Sequence, residues 1–188
     1  MSDDLSALTD EELARLVQGN NEEAFGVLMD RYQGRLLRYG RRFLNQEAPI
    51  DHTVQDVFIK VYTNIRSFDT TKKFAPWIYR IAHNEFVSAL RSRSRQPLAV
   101  DFDTLVAHPS YEMDPAGDEE RAQTQALIAR GLDALSAAHK EVLILYYLEG
   151  LSYQEISDIL QVPVGTVGVR LRRARQALKK YVEQQHGH

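Results

Sequence analysis

Apolar positions recur every three or four residues along nearly the whole chain, and no stretch keeps the strict alternation of a half-buried strand. Thr9-Asp10-Glu11-Glu12 is a capping box that opens a first helix, ending near Gln18. A second helix, capped by Asn20 or Asn21, carries Phe25, Leu28, Met29, Tyr32, Leu36, Leu37 and Phe43. Pro49 breaks the pattern, and a third helix runs from about Asp51 to Ile65 with Val54, Val57, Phe58 and Val61 inward. Ser67 to Ala75 is polar and mixed. Pro76 suits the first turn of a fourth helix that reaches about Arg93. Gln96 to Gly117 holds three prolines, a glycine and a run of acids, which predicts a linker with little core. Helical periodicity resumes at Glu119, through Ala126, Leu127, Leu132 and Leu135 and then Val142 to Leu148. The expected fold is all-α: two small helical domains, residues 1–95 and 120–184, joined by a flexible acidic linker over 96–119.

The last helical pair has a more specific pattern. Ser152 followed by Glu155 is a second capping box, and Pro163 stops that short helix and opens the next. Val164, Val167, Leu171, Ala174 and Leu178 then form one apolar stripe. At about 100° per residue, Thr166, Val169, Arg172, Arg173 and Gln176 fall on or near the opposite face. A helix anchored on one side and cationic on the other, after a capped helix and a tight turn, fits a helix-turn-helix that enters the DNA major groove.

Charge is segregated along the chain although the total is only −3. Residues 1–30 sum to −7, 60–100 to +6, 101–120 to −7 and 161–188 to +5. Two basic blocks separated by an acidic one suggest two nucleic-acid contacts on one chain. Zero cysteines exclude disulfides, thiol catalysis and the usual structural zinc sites. Six scattered histidines show no ligand spacing, so no metal or cofactor is expected. No apolar run approaches a bilayer span, the acidic start lacks a signal peptide, and a cytoplasmic location is the expectation. There is no Gly-rich phosphate loop or catalytic triad pattern, which argues against an enzyme.

In the first basic block, Phe68, Phe74, Trp77, Tyr79 and Phe86 interleave with Arg66, Lys72, Lys73, Arg80 and Arg91. Aromatic faces with cations suit single-stranded DNA, where stacking contributes roughly 1–3 kcal/mol per base. Composition leaves open how many of these rings stack on bases. Ile81 and at least half of the aromatics are expected in the core.

Val54-Gln55-Asp56-Val57-Phe58-Ile59-Lys60 and Phe74-Ala75-Pro76-Trp77-Ile78-Tyr79-Arg80-Ile81-Ala82-His83-Asn84 resemble region 2 of bacterial sigma factors. Gly150-Leu151-Ser152-Tyr153-Gln154-Glu155-Ile156 with Val164-Gly165-Thr166-Val167 resembles their region 4. The short length and the order of the two motifs are similar to the extracytoplasmic-function class. The resemblance implies a sigma factor that binds core RNA polymerase and directs promoter-specific initiation. It implies that Asp51, Gln55, Asp56 and Lys60 meet the clamp helices of the polymerase β′ subunit. It implies that Arg66, Phe68, Lys72, Lys73, Trp77, Arg80, Asn84 and Arg91 melt and read the −10 element, with Arg93 and Arg95 on the backbone. Asn84 is placed at the pocket for an extruded base, which must offset a few kcal/mol of unstacking. Ser152, Thr166, Val169, Arg170, Arg172, Arg173 and Arg175 are assigned to the −35 duplex, and region 4 also to the β flap. An anti-sigma factor is a further implied partner, and the chain is expected as a monomer or in a 1:1 complex.

Two departures from the family pattern stand out. Gly168 and Val169 replace residues that are usually polar or basic and a common serine, which bears on −35 contacts. The third helix begins Pro49-Ile50-Asp51-His52-Thr53, with a single acid where the family carries a cluster. Phosphorylation of Thr53 would add about −1.5 to −2 charges there and strengthen docking; alternatively Gln55 and Asp56 suffice. A helix-turn-helix regulator that is not a sigma subunit is the competing reading. Such a protein would carry a receiver or ligand-binding domain with a strand pattern, which residues 1–95 lack.

Overall fold

The computed structural model describes residues 5–43, 50–93 and 119–186. Among the described residues there is no strand. Among the described residues, the N-terminal module has the α-helices α1 (Asp10–Gln18), α2 (Glu22–Phe43), α3 (Ile50–Asn64) and α4 (Phe74–Arg93), with a 3-10 turn over Ile65–Ser67. The C-terminal module has α5 (Glu119–Asp133), α6 (Ala137–Leu143), α7 (Tyr153–Leu160) and α8 (Val164–His186). A π turn, Ile144–Leu148, continues α6.

The helix starts follow the local chemistry. Thr9 accepts from the Glu12 amide at 3.3 Å, and its own amide donates to Glu12 Oε2 at 2.8 Å. Ser152 and Glu155 repeat this geometry at 3.3 and 2.7 Å. Asn21, not Asn20, caps α2 by accepting from Ala24 at 3.0 Å, while Asn20 takes a left-handed φ of 67° in the turn. α4 begins two residues before Pro76, because the Phe74 amide finds Glu11 Oε1 on α1 at 2.8 Å. Pro76 then sits in the first turn, where a missing N–H costs nothing.

Aromatic rings fill the first core. Tyr32, Tyr39, Phe74, Tyr79 and Phe86 are fully buried and meet edge-on, with centroids 5.3–6.4 Å apart. In the second module α5 crosses α8 closely at Gly131, where a Cβ would lie 2.5 Å from Leu178 Cδ1.

The expected tethered halves also pack on one another. α7 lies along α4 and α6 against α2, so the buried residues of both modules form one continuous core. The predicted linker from residue 96 lies outside the described residues, apart from Glu119 in α5.

Candidate nucleic-acid interface

The face of α3 and α4 away from the core carries a cleft of about 370 Å³ lined by Lys60, Asn64, Ser67, Trp77, Arg80, Ile81, Asn84 and Glu85. α3 and α4 run side by side. Residues four apart share a helix face, so Lys60 and Asn64 come from one wall, and Trp77, Arg80, Ile81 and Asn84 from the other. Lys60 Nζ and Glu85 Oε1 pair at 2.6 Å. Arg80 and Asn84 are exposed and Trp77 is half-buried. The Trp77 ring leans on Phe68 at 5.1 Å and Phe74 at 5.6 Å. An aromatic floor with cations and an amide at the rim suits a splayed base and its phosphates. Arg66, Lys72 and Lys73 are exposed on the connection between α3 and α4, with Arg66 donating to Asn20 Oδ1 at 3.0 Å.

Several predicted residues stand elsewhere. Phe68 is only 5% exposed and packs edge-on against Phe74, so it props the cleft from beneath and does not reach a base. Lys60 faces the cleft with Asn84, roughly 140° around α3 from Gln55. Asp56, four residues earlier, shares its face of α3, so Lys60 stands between the cleft and the predicted polymerase contacts. Thr53 is 7% exposed, on the inner face shared with Ile50 and Val57. Its hydroxyl does not lie on the surface, so a phosphate could not be added or accommodated without opening the helix packing. The side chains of Arg91 and Arg93, and Arg95 altogether, lie outside the described residues.

On the other side of α3, a groove of about 780 Å³ runs against α2, lined by Phe25, Met29, Leu37, Asp51, Gln55 and Ile59 among others. Asp51, Gln55 and Asp56 are exposed there or beside it. Ile59 is 61% exposed and Tyr62 43%, two apolar residues that the inward set of the sequence omits. They are legible in hindsight as hydrophobic positions out of phase with Val54, Val57, Phe58 and Val61. A groove with apolar walls and an acidic rim suits a basic helical partner.

In the C-terminal module, Val167, Leu171 and Ala174 bury the inner stripe of α8 as expected. Val169, Arg172 and Arg173 are exposed on the opposite face, with half-buried Thr166 at its edge. Arg170 and Arg175 flank that face on either side. Arg175 instead lines an apolar groove of about 750 Å³ with Ile128, Leu132, Tyr147, Leu148 and Leu178. The π turn presents Tyr147 and Leu148 outward at 56% and 54% exposure. No single-sequence signal marks a π turn, so this groove is visible only in the tertiary structure. Ser152 is exposed, but its hydroxyl is occupied by the α7 cap. Hydrogen bonds from the Ser152 hydroxyl and amide and the Lys73 ammonium outweigh burial and hold the Glu155 carboxyl below its ordinary value. Gly168 faces Tyr153, where an added Cβ would sit at an ordinary 3.6 Å, so packing does not require glycine.

Residues 28–96 match the Sigma-70 region 2 family and residues 125–178 the Sigma-70, region 4 family. The extracytoplasmic-function RNA polymerase sigma-E factor of Haemophilus influenzae is 32% identical, covering 94% of this chain and 96% of that protein. The sigma-E factor of Escherichia coli strain K12 is also 32% identical, over 94% of this chain and 95% of its own length. Among solved structures, CnrH in complex with the cytosolic domain of CnrY is 26% identical with a TM-score of 0.68, covering 93% of this chain and 97% of that one. Both modules, in this order and at this spacing, are thus accounted for by one lineage: the chain belongs to the extracytoplasmic-function sigma factors, which direct RNA polymerase in transcription initiation.

Proposed function

We propose a division of labour among four surfaces. Region 2, taken as residues 1–95, reads the −10 element in the cleft of Lys60, Trp77, Arg80 and Asn84, with Arg66, Lys72 and Lys73 along the single strand. Its α2–α3 groove, with Asp51, Gln55, Asp56, Ile59 and Tyr62, docks on the polymerase clamp. Region 4, residues 120–184, lays the Thr166, Val169, Arg172 and Arg173 face of α8 in the −35 major groove. Arg170 and Arg175 meet the flanking phosphates, and the Tyr147–Leu148 groove takes the β flap. Residues 96–119 serve as the linker.

The observation that carries this reading is the cleft between α3 and α4, where a half-buried tryptophan, two cations and an asparagine converge. Its volume falls in the range of small-molecule pockets. The family assignment supports a cytoplasmic initiation factor without catalysis of its own. The cytosolic domain of CnrY bound to CnrH supports a protein partner of that kind for this chain as well.

Reconstituting the chain with purified core RNA polymerase tests the whole reading. Footprints on genomic promoter fragments should show protection at two sites about two and a half helical turns apart. Initiation that depends on a second sigma factor would instead identify an ordinary helix-turn-helix regulator.

A further inference from the structure

Both rings beneath Trp77 belong to residues whose backbone is held from α1. Gln18 Nε2 donates to the Phe68 carbonyl at 2.8 Å and to the Ile65 carbonyl at 2.8 Å. Only the NH2 end of the amide can donate twice, so these acceptors fix its orientation. Glu11 Oε1 accepts from the Phe74 amide at 2.8 Å. The Phe68 and Phe74 rings meet edge-on at 5.4 Å, and Trp77 leans on both. Gln18 and Glu11 are half-buried, 50 and 63 residues before the positions they hold.

Within the connection from Ile65 to Lys73, local hydrogen bonds shape the turns. The Ser67 hydroxyl donates to the Asn64 carbonyl at 2.7 Å. The Thr71 amide donates to Asp69 Oδ1 at 3.0 Å and the Lys72 amide to the Asp69 carbonyl at 2.9 Å. Attachment to the helical body is of another kind. Ile65 and Phe68 are buried, but apolar burial is non-directional. Hydrogen bonds are directional, so the Gln18 amide and the Glu11 carboxylate fix the rotation that burial leaves open. Glu11 also satisfies the first amide of α4, one turn before Trp77, and sets a negative charge at a helix N-terminus. Arg66 reaches back in the same direction, to Asn20 Oδ1 just after α1.

We propose that α1 is a positioning element of −10 recognition: Gln18 and Glu11 set the backbone at Phe68 and Phe74, and those two rings set the plane of Trp77 in the base cleft. The inference rests on the −10 reading above and adds two residues that act from behind the cleft. A base stacks well only on a ring held in one plane, and a site assembled in advance loses no ordering entropy on binding. Loss of the Gln18 donors would leave Trp77 in the cleft but free to tilt. Base preference would then relax. The phosphate contacts of Arg66, Lys72 and Lys73, which carry no sequence information, would persist.

Trp77 is the only tryptophan of the chain, so its time-resolved fluorescence anisotropy in the full chain reports motion in the cleft. Gln18→Met, of similar size without a donor, should increase that local motion. In reconstituted holoenzyme on forked DNA with a randomised −10 strand, it should lower discrimination between bases about fivefold, the lower end of what one base contact supplies. Core polymerase co-elution and −35 duplex protection should match the parent. Gln18→Lys, whose ammonium can donate to both carbonyls, should return motion and discrimination to parental values. Its added charge changes affinity for all sequences alike and leaves the ratio intact. Glu11→Met should act like Gln18→Met. Parental motion and discrimination in Gln18→Met overturn the proposal. So does a loss matched by weaker polymerase binding, or one that Gln18→Lys does not reverse. A parent holoenzyme without base preference in that strand, in a chain whose Trp77 loosens in Gln18→Met and recovers in Gln18→Lys, would strike the −10 reading alone.

Discussion

Asn84 and Lys60 illustrate how side chains from separate helices acquire one role. Each is an unremarkable exposed polar residue on its own helix, and the pairing of α3 with α4 brings both to the same cleft. Asn84→Ala should cost about 1–3 kcal/mol of promoter discrimination at one −10 position, read as relaxed base preference in transcription assays, with thermal stability unchanged. Arg172→Ala and Arg173→Ala should each weaken duplex binding across sequences and reduce the salt slope by about 1, measured by titration at several ionic strengths. Thr53 is buried, at 7% exposed, so Thr53→Glu should act through the fold. A stability loss of about 3 kcal/mol is expected, seen as a lower denaturant midpoint. Loss of polymerase binding without loss of stability would contradict its burial. Gly168 has room for a methyl group, and Gly168→Ala should raise stability by up to ~1 kcal/mol.

Helix boundaries were legible wherever a side chain caps its own helix. The boxes at Thr9 and Ser152 could be read from Thr9-x-x-Glu12 and Ser152-x-x-Glu155, because the capping partners are three residues apart. α4 starts two residues before Pro76, at a position its own side chains do not signal, because its first amide is satisfied by Glu11 from another helix. The Ser152 box also predicts a pH effect. The Glu155 carboxyl is held below its ordinary 4.5 in the folded chain. Its stabilisation is thus present above the unfolded value and lost as pH falls through the lower folded value. Acid unfolding of the parent should show this loss below about pH 4.5, and Glu155→Gln should remove that part of the pH dependence. On the docking groove, Ile59→Glu should leave stability intact, since Ile59 is 61% exposed, while reducing co-elution with core polymerase tenfold or more.

At the scale of the whole molecule, the two regions behave as one body joined by a core and an ionic face. Introducing a protease site within residues 94–118 and cutting it should leave the two halves co-eluting at low salt and separating more readily at high salt, because screening weakens the ion pairs. The amino-acid sequence by itself determined the all-helical class, the two modules, the capped helix-turn-helix and the family, because those depend on periodicity and on partners within a few residues. Tertiary structure alone decided that Phe68 and Thr53 are interior, that Lys60 belongs with Asn84, and that a π turn opens a groove at Tyr147 and Leu148. It alone decided that Glu141 and Glu149 bind back onto Tyr39, His83 and Arg35 across more than fifty residues of chain. The reason is physical: helical phase says which face is apolar, but only the packing of helix on helix says which neighbour that face, or its charged rim, will meet.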